Sequence, residues 1–169
     1  METVYLGLGA NRGEAARTIR AAFAELSRLL DAPRLSSLWR SRARYYEDQP
    51  DFVNAVAAGE TSLSPRELLA AIHRIEADFG RDRSVEISKG PRPLDIDILL
   101  FGARIIAESD LIVPHAGLRE RKFALLPLLE LEPSLADPVS GTPYAELLAL
   151  LPAQGIYLLD EGGYDLIHV

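Results

Sequence analysis

Apolar positions along this chain recur with two alternating periods. Val4 to Leu8 is a short apolar run closed by Gly9 and the turn-forming Asn11-Arg12-Gly13, and behind it Ala16, Ile19, Phe23, Leu26 and Leu30 fall at helical spacing. A strand followed by an amphipathic helix is the expectation. Residues 35–39 and 52–58 read as strands joined by a polar, aromatic stretch. Ser64 as N-cap, Pro65 at the first helical position and Glu67 completing a capping box predict a second helix, with Leu68, Leu69, Ile72, Ile75 and Phe79 along one face and Gly80 at the stop.

Residues 81–93 then form a charged loop without an apolar period, expected to be mobile over 81–90 until an anionic ligand orders it. In 94–101, Leu94, Ile96, Ile98 and Leu100 alternate with Asp95, Asp97, Leu99 and Phe101, the period of a strand. Short strands are predicted within 105–113, helix over 118–131 interrupted at Pro127, and helix over 144–151. Residues 156–159 and 166–169 flank Gly162-Gly163 as a hairpin. No repeat, low-complexity tract or Gly/Ser linker divides the chain, so residues 1–169 read as one domain, with 155–169 as a C-terminal extension or hairpin. The pattern predicts an α/β (α+β) sandwich on a mainly antiparallel sheet.

Composition narrows the class. With 48% hydrophobic residues in 169, the chain can bury a real core, which excludes a disordered or fibrous protein. It holds no cysteine, so neither disulfides nor a thiolate-bound metal is expected, and no basic-then-apolar leader or long apolar run is present. A cytoplasmic protein with no membrane partner is the expectation. The net charge of -7 argues against general nucleic-acid binding. All 18 Lys and Arg lie at or before Lys122, so an anionic ligand should be met there, and the acidic remainder reads as scaffold.

Asp95 and Asp97 stand two apart on an otherwise apolar strand, so their carboxylates leave one face with Cα atoms roughly 6.6 Å apart. Such a pair is either solvated on an open sheet face or holds a cation. Oxygen donors without Cys or clustered His favour magnesium over zinc, and two carboxylates can bridge two ions in phosphoryl transfer. Arg81, Arg83, Lys89 and Arg92 crowd the preceding loop, where Arg forks would match polyphosphate oxygens. His115 could donate to a phosphate. Phe52 and Phe123 read as core or as aromatic walls, and Asn54, on the Phe52 face, could bond a heteroaromatic edge. No Gly-x4-Gly-Lys-Ser/Thr loop occurs, so a nucleotide must be held by other means.

The run from Gly90 to Gly102, Gly-Pro-Arg-Pro-Leu-Asp-Ile-Asp-Ile-Leu-Leu-Phe-Gly, resembles the hydroxymethyldihydropterin pyrophosphokinases. Gly7-Leu8-Gly9-Ala10-Asn11, the Gln49-to-Val56 block, Arg74-Ile75-Glu76 with Gly80-Arg81-x-Arg83, and Val113-Pro114-His115 followed by Arg121 and Phe123 match the same family in order, over roughly residues 4 to 135. The resemblance implies a ferredoxin-like sandwich and transfer of the terminal pyrophosphate of ATP to the alcohol of 6-hydroxymethyl-7,8-dihydropterin in folate synthesis. It implies Arg81, Arg92, Asp95 and Asp97 as catalytic, the two aspartates holding two magnesium ions. It assigns His73, Glu76, Arg83, Lys89, Ile98, His115 and Arg121 to ATP, and Ser41, Phe52, Asn54 and Phe123 to the pterin. A monomer with these two small molecules as its partners is expected.

Ser41-Arg42-Ala43-Arg44-Tyr45-Tyr46 stands where the family often carries a Thr-Pro-Pro-like segment. His73 replaces a more usual Gln, Lys89 stands at a common aromatic position, and Ala116 follows the histidine where some relatives have Tyr. A nucleotidyltransferase and a binding protein without turnover are the competing classes.

Overall fold

The computed structural model describes residues 1–42, 48–85, 92–159 and 165–168. The expectations for Lys89, for the loop beyond Val85, for the stretch holding Tyr45 and Tyr46 and for the Gly162-Gly163 turn lie outside the described residues.

The central strand β1 (Glu2–Ala10) lies antiparallel between β4 (Phe52–Thr61) and β5 (Asp95–Phe101). Two short strands, β2 (Asp31–Leu35) and β3 (Trp39–Ser41), pair with successive stretches of β4. Helix α1 (Ala15–Leu26) links β1 to β2, and α2 (Pro65–Asp78) links β4 to β5, so the sheet is built from two interleaved split βαβ units, the ferredoxin-like arrangement. Every described pairing is antiparallel. A hairpin of β6 (Ile106–Glu108) and β7 (Leu111–Val113) follows β5.

Helices cover both faces. Under α1 and α2, Leu6, Leu8, Ile19, Leu26, Leu68, Ile72, Ile96 and Ile98 form the larger core. Helices α3 (Lys122–Leu131) and α4 (Tyr144–Leu150) cover part of the opposite face, where Tyr5, Val56, Ala58, Leu99, Leu125 and Leu128 are buried. Each fully buried Leu or Ile contributes roughly 1.5–3 kcal/mol. What α3 leaves open of this second face becomes the site.

Local chemistry sets the boundaries. Ser64 accepts from the Glu67 N–H while Glu67 accepts from the Ser64 N–H, the predicted capping box. Helix α2 stops at Gly80, whose φ of 90° suits a residue without Cβ. The strand expected over 35–39 is instead two strands separated at residues 36–38. Ser36 Oγ donates to the Ser37 carbonyl and accepts from the Val56 N–H, while Ser37 binds Glu130, so the serines satisfy the backbone locally in place of a continuous ladder.

The predicted alternation of 94–101 holds only through Leu99. A register shift against β1 between Tyr5 and Leu6 puts Leu99 and Leu100 into the same core and turns Phe101 to the face of Ile96 and Ile98. The helix expected over 118–131 is broken at Arg121 rather than at Pro127. A 3-10 turn, Leu118–Glu120, precedes an extended Arg121, and Pro127 sits buried inside α3. The predicted C-terminal hairpin is β8 (Ile156–Leu159) against β9 (Asp165–His168), and β8 extends the main sheet by pairing with β3.

Candidate active site

Strand register brings the site together. Gly9 is paired with Asn54 on β4 and with Asp95 on β5, and Asn54 is paired in turn with Trp39. Gly7, one turn of the pleat away, is paired with Asp97. The Asp-x-Asp pair and the Phe52/Asn54 pair thus flank the side-chain-free stretch of β1. A Cβ on Gly9 would lie 3.4 Å from Asn54 Oδ1 and 3.9 Å from Phe52 Cδ1, so glycine leaves this floor flat.

Over that floor opens a cleft enclosing about 980 Å³ of empty space, its mouth included. Ser41, Phe52, Asn54, Arg92, Asp95, Asp97, His115, Arg121 and Phe123 line it. Asn54 Nδ2 donates to Ser41 Oγ at 2.8 Å, which fixes the amide on the cleft wall. Phe123, at the start of α3, provides a second aromatic wall with the Arg121 guanidinium 5.8 Å from its ring centroid.

Asp95 is held by two arginines. Arg81 Nη1 donates to its Oδ1 at 2.7 Å, and Arg92 Nη1 to its Oδ2 at 3.0 Å. Among the described residues Asp97 has no such arginine pair; His115 Nε2 stands 3.6 Å from its Oδ2. Loss of hydration, then the charge of Asp95, pushes the Asp97 carboxyl above the usual carboxylate range. A divalent cation would relieve that repulsion. Among the described residues no group of three or more His, Asp or Glu side chains can hold a metal alone, so a magnesium ion here would take two protein oxygens and complete its shell with phosphate and water, its ordinary habit. The donor set fits the ion.

His115 is placed by its backbone N–H, which donates to the Leu99 carbonyl at 3.0 Å. The Gly117 N–H donates to His115 Nδ1 at 3.1 Å, leaving Nε2 as the protonated nitrogen of the neutral ring, aimed at Asp97. Burial, then the neighbouring Arg121 cation, lowers the His115 pKa and keeps the ring neutral.

A second depression, lined by His73, Glu76, Arg81 and Arg83, adjoins the cleft through the Arg81–Asp95 pair. Glu76 is only 1% exposed. Its carboxylate is bonded to Arg81, to Arg83 Nη2 at 2.9 Å and to the Ile96 N–H at 3.1 Å, so it ties the end of α2 to the peptide between the two aspartates. The Ile98 side chain lies in the core on the opposite face, leaving only its main chain for a ligand.

A family profile described as 7,8-dihydro-6-hydroxymethylpterin-pyrophosphokinase matches residues 5–133. The chain belongs to this family. It is 42% identical over 158 residues to the 2-amino-4-hydroxy-6-hydroxymethyldihydropteridine pyrophosphokinase of Pseudomonas aeruginosa, covering 92% of this chain and 96% of that one. The protein of the same name from Aquifex aeolicus is 40% identical over 146 residues, 86% and 90% of the two chains. The folic acid synthesis protein fol1 of Schizosaccharomyces pombe is 42% identical over 159 residues, covering 91% of this chain, but this chain spans only 21% of that protein. Among solved structures, wild-type Plasmodium falciparum HPPK-DHPS with pteroate superposes with a TM-score of 0.69 at 16% identity, over 88% of this chain and 42% of that one, a likeness of fold. Family membership turns the ferredoxin-like expectation and the pyrophosphokinase resemblance into the frame for the cleft.

Among the motif residues to which the sequence gave no role, Asn11 has the widest reach. Asn11, 2% exposed, donates through Nδ2 to Gln49 Oε1 (2.9 Å) and the Pro50 carbonyl (3.0 Å), and its Oδ1 accepts from the Arg92 N–H (2.8 Å). It joins the segment before β4 to the segment before β5. An Asn in an Asn-Arg-Gly turn reads as local turn chemistry, so this long-range role leaves no trace in one sequence.

Proposed function

We propose that this chain transfers the pyrophosphoryl group of ATP to the hydroxymethyl group of 6-hydroxymethyl-7,8-dihydropterin, giving the pterin diphosphate and AMP. The observation that carries the reading is the row Asn54–Gly9–Asp95, which sets a flat, edge-bonding surface for a heterocycle beside a carboxylate pair flanked by arginines. The pterin lies between Phe52 and Phe123 with its edge on Asn54 and Ser41, and the polyphosphate runs past Arg92, His115 and Arg121 toward Arg81, Arg83 and His73. The pterin oxygen attacks the β-phosphorus, the bond from that phosphorus to the α–β bridging oxygen breaks, AMP departs, and the hydroxyl proton passes to solvent.

Asp95 and Asp97 would hold two magnesium ions, which when bound neutralise phosphate charge and orient the in-line oxygens. The protein's own contribution is positioning: Arg81 and Arg92 are already aligned on the Asp95 carboxylate, and neutral His115 presents an Nε2 proton to a phosphate oxygen. Among the described residues no helix is long and apolar enough to cross a membrane. We place the protein in the cytoplasm, acting as a monomeric single domain over residues 1–169. Incubation with MgATP and the reduced pterin alcohol should release AMP one-for-one with pterin diphosphate. Release of pyrophosphate with AMP attached to the pterin would assign a nucleotidyltransferase instead, and binding without either product a carrier.

A further inference from the structure

Residue 154 lies beyond the stretch matched by the family profile, in the strand-free link between α4 and β8. Its side chain reaches back across the chain to the break ahead of α3. Gln154 Oε1 accepts from the Lys122 N–H at 2.9 Å, and Gln154 Nε2 donates to the Glu120 carbonyl at 2.9 Å. These are the two peptide groups on either side of Arg121, bonded as a neighbouring strand would bond them.

The backbone there needs such a partner. Arg121 sits at φ −116° and ψ 102° between a 3-10 turn and α3, and it gives α3 no side-chain cap. The first N–H of α3 would otherwise have no protein partner in the helix itself. The Arg121 guanidinium in turn packs where a side chain on Gly117 would be: a Cβ there would fall 2.5 Å from Arg121 Cζ and Nε. One residue fixes the root of the arginine, and an empty space receives its head.

We propose that Gln154 and Gly117 are positioning residues that set Arg121 in the cleft, so that the C-terminal segment completes the site in place of serving only as scaffold. This rests on the reading of Arg121 as a ligand contact. Water can replace the Gln154 bonds, since the residue is part-exposed, but water does not hold the peptide in one orientation. The loss should therefore fall on catalysis more than on folding.

The test is a double-mutant cycle scored by AMP release and by melting. Gln154→Ala and Gly117→Ala should each lower kcat/KM for the pterin alcohol about tenfold, the order expected for a displaced positioning group, with the melt nearly unchanged. Gln154→Glu keeps the acceptor for Lys122 but gives up the donor to Glu120, so it should fall between wild type and Gln154→Ala. In the Arg121→Ala background both substitutions should be silent. If either costs the same factor there as in the wild type, it acts through general structure and the proposal is overturned. If Arg121→Ala is impaired while Gln154→Ala and Gly117→Ala match wild type, the positioning role falls and the Arg121 assignment stands. If Arg121→Ala itself matches wild type, the ligand assignment fails and takes the proposal with it.

Discussion

Asn11 Oδ1 accepts a hydrogen bond from the Arg92 N–H at 2.8 Å, while the Asn11 N–H donates to the Arg92 carbonyl at 3.2 Å. Side chain and backbone of one residue thus hold the peptide of an arginine that pairs with Asp95, and the same side chain holds Gln49 and Pro50 on the opposite rim. Asn11→Ala removes three bonds at a buried position. Stability should fall by about 1–3 kcal/mol, the cost of leaving buried polar groups unpaired, and kcat and KM for the pterin should both worsen because both rims lose their reference. Chemical denaturation and steady-state kinetics check this; a change in stability alone would make Asn11 purely structural.

Much of this site was legible because strand period does not depend on neighbours. Two aspartates two residues apart share a face whatever surrounds them, and so do Phe52 and Asn54. Which face, and against which partner, follows from the register of β1 with β4 and β5, which pairs Gly9 with Asn54 and Asp95 and which local pattern does not encode. The shift between Tyr5 and Leu6 reversed the expected places of Leu100 and Phe101 for the same reason. Glu76 illustrates the limit from another side. The resemblance assigns Glu76 to ATP, but no local pattern marks it as buried: Arg81, Arg83 and the Ile96 N–H converge on it, and those partners come from two other segments.

Asp95 and Asp97 should separate in their effect on the ligand-free protein. Asp97→Asn removes a carboxylate that repels Asp95 and is partly shielded from water in the cleft, so without magnesium the variant should melt at or above the wild-type temperature. Asp95→Asn weakens the charge partner of Arg81, which is only 5% exposed, and should cost about 1–3 kcal/mol. Both should lose AMP release. Differential scanning with and without magnesium measures the first part: the ion should raise the wild-type melt and leave the Asp97→Asn melt nearly unmoved.

Phe123→Ala should weaken pterin binding far more than MgATP binding, because stacking a flat heterocycle between Phe52 and Phe123 contributes roughly 1 kcal/mol beyond area burial. Calorimetric titration of each ligand separates the two. Equal losses would mean that Phe123 serves mainly to seat α3 on the sheet, where it also packs against the second core.

Tyr144 offers a stability test away from the chemistry. Its ring is fully buried at the start of α4, and its hydroxyl has no hydrogen-bond partner among the described residues. Burial, followed by the nearby Asp137 charge, raises its pKa, so the phenol is neutral at any working pH and gains nothing from ionisation. A buried hydroxyl without a partner loses its hydration and gets no bond in return, whereas phenylalanine fills the same space without that cost. Tyr144→Phe should therefore stabilise the protein by about 1 kcal/mol, a rise in Tm of roughly 2–4 °C for a chain of this size. Because Tyr144 belongs to the core under α3 and α4 and not to the cleft, kcat and both KM values should stay at wild type. A lower Tm would show that the hydroxyl holds a buried water that bridges it to Asp137, and the Tyr144→Phe, Asp137→Asn double variant would then show coupling where none is expected.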